Sequence, residues 1–131
     1  MGILDKLYEE YDYDIVDEFV NQWDYIIDEI DIVIERLEKE DEYKEAVNEL
    51  FRIFHSLKSA TAFLKLTRIN VFSKLVEDVL ESARNKDKPT EEFVDWMFLA
   101  SGQIAKWYGE ITHNKELSPI DGRLLKLPKG Y

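Results

Sequence analysis

Apolar residues recur at three- and four-residue spacing through four long stretches of this chain, and give way to charge or proline between them. In the first stretch Val16, Phe19, Val20, Trp23, Ile26, Ile27, Ile30, Val33, Ile34 and Leu37 share one side. Sustained over about six turns, that spacing predicts an amphipathic helix facing a bundle. Asp14 is placed to cap it. The opposite side carries Asp17, Glu18, Asp24, Asp28, Asp31, Glu35 and Glu38 and reads as a solvated face. The run LEKEDEY ends this helix with charge rather than glycine. A second helix is predicted to start near Tyr43, with Val47, Leu50, Phe54, Leu57, Thr61 and Leu64 as its core stripe. After a break around Lys65–Arg68, a third is predicted from about Ile69 to Asn85. It buries Val71 or Phe72, then Leu75, Val76, Val79, Leu80 and Ala83. NKDKPT stops it, and Thr90 is an N-cap for a fourth helix reaching about Thr112. The core positions there are Phe93, Trp96, Met97, Leu99, Ala100, Ile104, Trp107, Tyr108 and Ile111.

The two ends follow other rules. MGILDKLYEEYD sets Ile3, Leu4, Leu7 and Tyr8 on one side and predicts a short, loose first helix. The tail HNKELSPIDGRLLKLPKGY contains Pro119, Gly122, Pro128 and Gly130 and has no period. It reads as an ordered flap, a linker or a cloning end. No segment alternates with a strand period and no repeat is visible. The predicted fold is all-α, an antiparallel four-helix bundle with an additional short N-terminal helix and an irregular C-terminal tail. Residues 1–115 are expected to form the domain and 116–131 a tail or linker.

Composition narrows the function more than the fold. With 131 residues and 45% hydrophobic residues, one domain can bury a core without staples. There is no cysteine, which removes disulfides and zinc–thiolate sites together. A net charge of −11 argues against a nucleic-acid groove or an anionic membrane surface. No positively charged start leads into an apolar run, and no stretch approaches a membrane span, so a cytoplasmic protein with protein partners is expected. The five glycines are not spaced to cradle a phosphate, so ATP binding by this chain is not expected.

The chemistry concentrates in FRIFHSLKSATAFL, residues 51–64. His55 lies just off the core stripe, with Lys58 and Ser59 on the same side and the small Ala62 close by. An imidazole there has three possible jobs. It can be structural. It can bind metal, as in bundles built from paired Glu-x-x-His motifs. Glu110-Ile-Thr-His113 is one such match, but His55 has Arg52 where the acid would stand. Or it can carry phosphate, because a neutral imidazole nitrogen is nucleophilic near pH 7 and Lys58 can offset the added charge. The third job requires a partner for the other ring nitrogen, best supplied by an acid on the third helix.

HSLKSATAFLKL resembles the signature of the histidine-containing phosphotransfer (HPt) domain, His-x-x-Lys-Gly followed by small residues and a Leu or Phe pair. It is most similar to the phosphotransfer (P1) domain of chemotaxis-type histidine kinases. ELFRIFHSLKS carries that family's Leu-Phe-Arg lead-in, and LVEDVLESAR resembles its third-helix segment, so the likeness covers about residues 14–112. The resemblance implies His55 as phosphoacceptor, Lys58 as the phosphate-facing cation, and Glu77 as the acid on the other ring nitrogen. It implies docking through Phe51, Arg52, Ser59 and Ala62, against a histidine kinase catalytic domain and a response-regulator receiver domain. Mg²⁺ and ATP would belong to the partner, with no cofactor in this chain. Ser59 and Ala62 replace family glycines, and Lys74 stands where a second histidine is common. Lys65 replaces a later glycine, which argues against a strained turn there. Both a free-standing shuttle and the first domain of a larger kinase fit. The rival reading is a non-catalytic helical interaction domain, a degenerate HPt with no carrier role.

Overall fold

The computed structural model describes residues 2–131 and is all-helical, with no strand among the described residues. Five α-helices follow one another: α1 (Ile3–Glu10), α2 (Tyr13–Arg36), α3 (Tyr43–Phe63), α4 (Thr67–Arg84) and α5 (Glu91–Thr112), with a short 3-10 helix at Gly122–Leu125. Every predicted stripe residue of α3 is buried, and so are most of those of α2 and α5. On α4 the choice between neighbours resolves clearly, with Phe72 2% exposed and Val71 61% exposed.

Helix ends differ from expectation at two places. The N-cap of α2 is Asp12, whose carbonyl accepts from the Ile15 and Val16 amides, and Asp14 falls in the first turn. An acid there still faces the positive end of the helix dipole. The turn after α3 is strained despite having no glycine. Lys65 sits at φ 57° between the bonds Lys65 N–H to Ala62 O, 3.2 Å, and Leu66 N–H to Thr61 O, 2.8 Å. This is a Schellman stop with lysine at the left-handed position. Two backbone bonds and the buried Leu66 and Leu64 outweigh the cost, of order 1 kcal/mol, of a side chain at positive φ. Asn114 ends α5 in the same way, at φ 54°. Thr90 caps α5 as predicted, its hydroxyl accepting from the Phe93 amide at 3.1 Å.

Helix α3 packs on α4 and on α2, and α2 packs on α5. Large aromatics join α4 to α5, with Phe72 and Trp107 edge to face at 5.3 Å. Polar bonds also tie α3 to α4. The Tyr43 hydroxyl donates to Ala83 O at 3.0 Å, and Asn70 Nδ2 donates to Lys58 O at 2.8 Å. Burial pushes the Tyr43 phenol up, which keeps it a neutral donor. Tyr43→Phe deletes that buried bond and should cost about 1 kcal/mol, with Ala83 O keeping its bond from the Lys86 amide at 3.1 Å. Denaturant unfolding measures it, and unchanged stability would mean water replaces the hydroxyl.

The tail is part of this body. Trp107 Nε1 donates to Ser118 O at 2.9 Å and Trp96 Nε1 to Leu124 O at 3.2 Å. Leu124 is fully buried, and Tyr131 stacks on Phe93 at 4.7 Å. Arg68, in the first turn of α4, donates to Leu117 O and Ser118 O. Residues 117–131 therefore run back along α5 from its end to its start. Helix α1 closes the same end of the molecule, with Leu7 buried and Ile3 N–H bonded to Lys115 O. Gly2 lies so close to the Asn114 carbonyl that any Cβ there would collide with it.

Candidate functional site

The buried stripe of α3 leaves the adjoining edge of the helix, Phe51, His55 and Lys58, beside α4. On α4, burial of Phe72, Val76, Val79 and Leu80 brings Glu77 to the facing edge. The Asn70 bond to Lys58 O sets the register between the two edges. His55 has a side chain 57% exposed, whereas that of Glu77 is only 13% exposed. The ring stands on an open helix face, with its base against a nearly buried carboxylate.

His55 Nδ1 lies 3.5 Å from Glu77 Oε1. That is a long contact, beyond the usual ~2.7–3.2 Å of N–H···O bonds. The Lys58 ammonium is closer, 3.0 Å from Oε2 and 3.1 Å from Oε1, and its hydrogen bond is directed at Oε1. Expectation had Lys58 facing an incoming phosphate. Here it is turned toward α4 and pairs with Glu77. A carboxylate this buried is strongly disfavoured without a cation, and Lys58 is the cation within reach. The site is thus a neutral pair with an imidazole set against it.

The sequence-derived surface residues are less uniform. Arg52, Ser59 and Ala62 are exposed on α3. Phe51 is half-buried, and its ring lies parallel to His55 within 9°, centroids 6.2 Å apart. Arg84, at the end of α4, places its guanidinium 3.9 Å from the Phe51 centroid and donates to Glu81 at 3.0 Å. Lys74 makes an exposed 3.8 Å pair with Asp78 and stays outside the site. Asn70 and Arg84 were missed by reasoning from the sequence. A polar residue beside a core stripe and a basic last turn were the only signals they gave.

The alternative chemistry finds no support in geometry. Glu110 accepts from the Ser118 amide and hydroxyl at 2.9 and 3.0 Å, and His113 Nδ1 lies 2.7 Å from Gly109 O. Both side chains serve the end of α5 and the tail. Among the described residues no group of three or more His, Asp or Glu side chains is arranged to hold a metal. The recess between α2 and α3, lined by Gln22, Trp23, Ser56, Leu57 and Ala60 among others, encloses only about 10 Å³. That is no more than a water molecule requires. No helix among the described residues is long and apolar enough to cross a membrane.

Comparison with curated proteins and with solved structures returned no match. The family model of the Hpt domain matches residues 14–113, from the first turn of α2 to the cap of α5. The matched span contains the whole of α3 and α4, with the exposed imidazole, the lysine one turn on and the facing acid. This chain belongs to the Hpt domain family, whose members serve histidine phosphotransfer between histidine kinases and response regulators in phosphorelay signalling.

Proposed function

We propose that His55 is the phosphoryl carrier of this domain, receiving the group from a histidine kinase or a receiver aspartate and passing it to a response-regulator aspartate. The observation that carries the reading is an imidazole 57% exposed on α3, with its Nδ1 edge toward Glu77. With the proton on Nδ1 shared toward that carboxylate, the lone pair sits on Nε2 at the opposite edge of the ring. In the transfer, Nε2 forms a bond to phosphorus as the bond from phosphorus to the leaving oxygen of ADP or of an acyl phosphate breaks. The Nδ1 proton stays in place. Lys58 turns from Glu77 toward the new phosphoryl oxygens. Positioning and charge dominate phosphoryl transfer, and Mg²⁺ and ATP come from the partner's site. An exposed side chain on an open helix face suits a carrier that enters its partner's active site.

The pairings Tyr43–Ala83 and Lys58–Asn70 between α3 and α4, and Asp24–Tyr108 and Asp31–Ser101 between α2 and α5, support an antiparallel four-helix bundle, since numbers rise along one helix as they fall along its partner. The partner surface on this reading is Phe51, Arg52, Ser59 and Ala62 around His55. The HSLK motif and the Glu77 position support the chemotaxis-type P1 subfamily, and dependence on an ATP-fed kinase supports a cytoplasmic setting.

The test is incubation with a histidine kinase catalytic domain and labelled ATP. Acid-labile, base-stable phosphate mapping to His55 is expected. No such phosphate with any kinase or acyl-phosphate regulator would leave a non-catalytic interaction domain. Glu77→Ala should slow acceptance about tenfold, equivalent to about 1.4 kcal/mol of lost orientation, while the helical spectrum is retained. An unchanged rate would remove Glu77 from the site.

A further inference from the structure

Glu77 alone holds the His55 ring weakly. The Nδ1 contact is 3.5 Å long, and the same carboxylate is bonded to Lys58. An exposed imidazole with one long contact keeps several staggered rotamers open, and most of them turn Nδ1 away from Glu77. A second restraint stands one turn earlier on α3. The flat face of Phe51 runs parallel to the imidazole within 9°, and Phe51 is only half-exposed, so it is not free to swing aside.

Phe51 is itself clamped. The Arg84 guanidinium covers its ring at 3.9 Å and is anchored to Glu81 at 3.0 Å. Arg84 Nε is buried and meets no hydrogen-bond acceptor. A buried N–H without an acceptor is unfavourable, so the guanidinium is held there by something other than hydrogen bonding at Nε. The ion pair with Glu81 and attraction between the cation and the ring face are the interactions present. Arg84, Phe51 and His55 form a chain of contacts from the end of α4 to the reactive ring.

We propose that Phe51, clamped by Arg84, is a positioning residue that holds the plane of the His55 ring beside Glu77, so that the carboxylate keeps Nδ1 toward itself and the Nε2 lone pair stays free. The proposal rests on the reading of His55 as phosphoryl acceptor and deepens it, since it names what fixes the reacting tautomer. Phe51 touches no phosphoryl group in this role. It removes wrong rotamers of the side chain that does.

The test has one arm independent of phosphate and one arm independent of docking. The first is the ¹⁵N spectrum of the His55 ring at a pH where it is neutral, which separates the Nδ1–H from the Nε2–H tautomer. The second is phosphorylation by phosphoramidate, a small donor that needs no protein surface. The wild type should be mainly Nδ1–H. Phe51→Ala should move the population toward Nε2–H and slow the phosphoramidate reaction about fivefold, the size of one aromatic contact. Arg84→Met, which keeps the aliphatic stem, should shift both readouts in the same direction by less. Phe51→Leu keeps apolar volume without a flat face and should follow Phe51→Ala. It carries the test where the alanine variant does not fold. An unchanged ring spectrum in Phe51→Leu overturns the proposal. So does a defect seen only with a kinase, which would make Phe51 a docking residue. A wild type that takes phosphate from no donor sinks the carrier reading instead, and the tautomer shift still decides the role of Phe51.

Discussion

Replacing His55 with glutamine is expected to abolish phosphoryl acceptance and to leave the fold unchanged. The amide of glutamine keeps the polarity and roughly the reach of the imidazole but has no nucleophilic lone pair near neutral pH. The side chain is 57% exposed and meets Glu77 only at 3.5 Å, so its loss removes little packing. A stability change within about 0.5 kcal/mol is expected, as for other surface substitutions away from special contacts. Acid-labile label should fall to background with a kinase, with an acyl-phosphate donor and with phosphoramidate alike. His113→Gln is the matched comparison. His113 caps α5 with Nδ1 at 2.7 Å from Gly109 O, and its replacement should leave acceptance intact. Label persisting in His55→Gln, or lost in His113→Gln alone, would move the site elsewhere.

The largest effect on stability is expected from removing residues 116–131. These residues lie outside the span matched by the Hpt family model, yet they bury Leu124 completely and accept hydrogen bonds from two indoles. Burial of one leucine contributes about 2 kcal/mol, and each indole bond about 1 kcal/mol. Loss of about 4 kcal/mol is a large part of the ~5–15 kcal/mol that holds a domain together. The melting temperature should drop by roughly 10–20 °C. Trp96 and Trp107, now 5% and 0% exposed, would meet water, so their fluorescence should shift to the red. A truncated chain that melts and fluoresces like the whole one would make residues 116–131 a passive extension. Leu124→Ala gives the local version of the same result, at about 2–5 kcal/mol.

The helices were legible because their signal is local. A stripe such as Val47, Leu50, Phe54, Leu57, Thr61 and Leu64 needs only the 3.6-residue period, and it separates buried from exposed positions within one helix. Exposure of His55 followed from the same count, since it lies beside the stripe and not in it. Turn chemistry was legible where a side chain advertises it, as at Thr90. It was not legible at Lys65, where the Schellman bonds and a buried Leu66 impose a conformation that lysine does not favour on its own. The tail had no period, and its order comes instead from backbone carbonyls met by Trp96, Trp107 and Arg68 from distant positions.

By itself, then, the sequence determined four amphipathic helices and an exposed histidine with a lysine one turn on. Only the tertiary structure decided which side chains meet across helices. The direction of Lys58 toward Glu77, the 3.5 Å gap at Nδ1 and the Arg84 clamp on Phe51 all depend on how α4 lies against α3. That register is set by buried contacts such as Tyr43 with Ala83 and Asn70 with Lys58 O, between residues 40 and 12 positions apart. Helical period is a property of near neighbours, whereas the environment of the imidazole is a property of two packed surfaces.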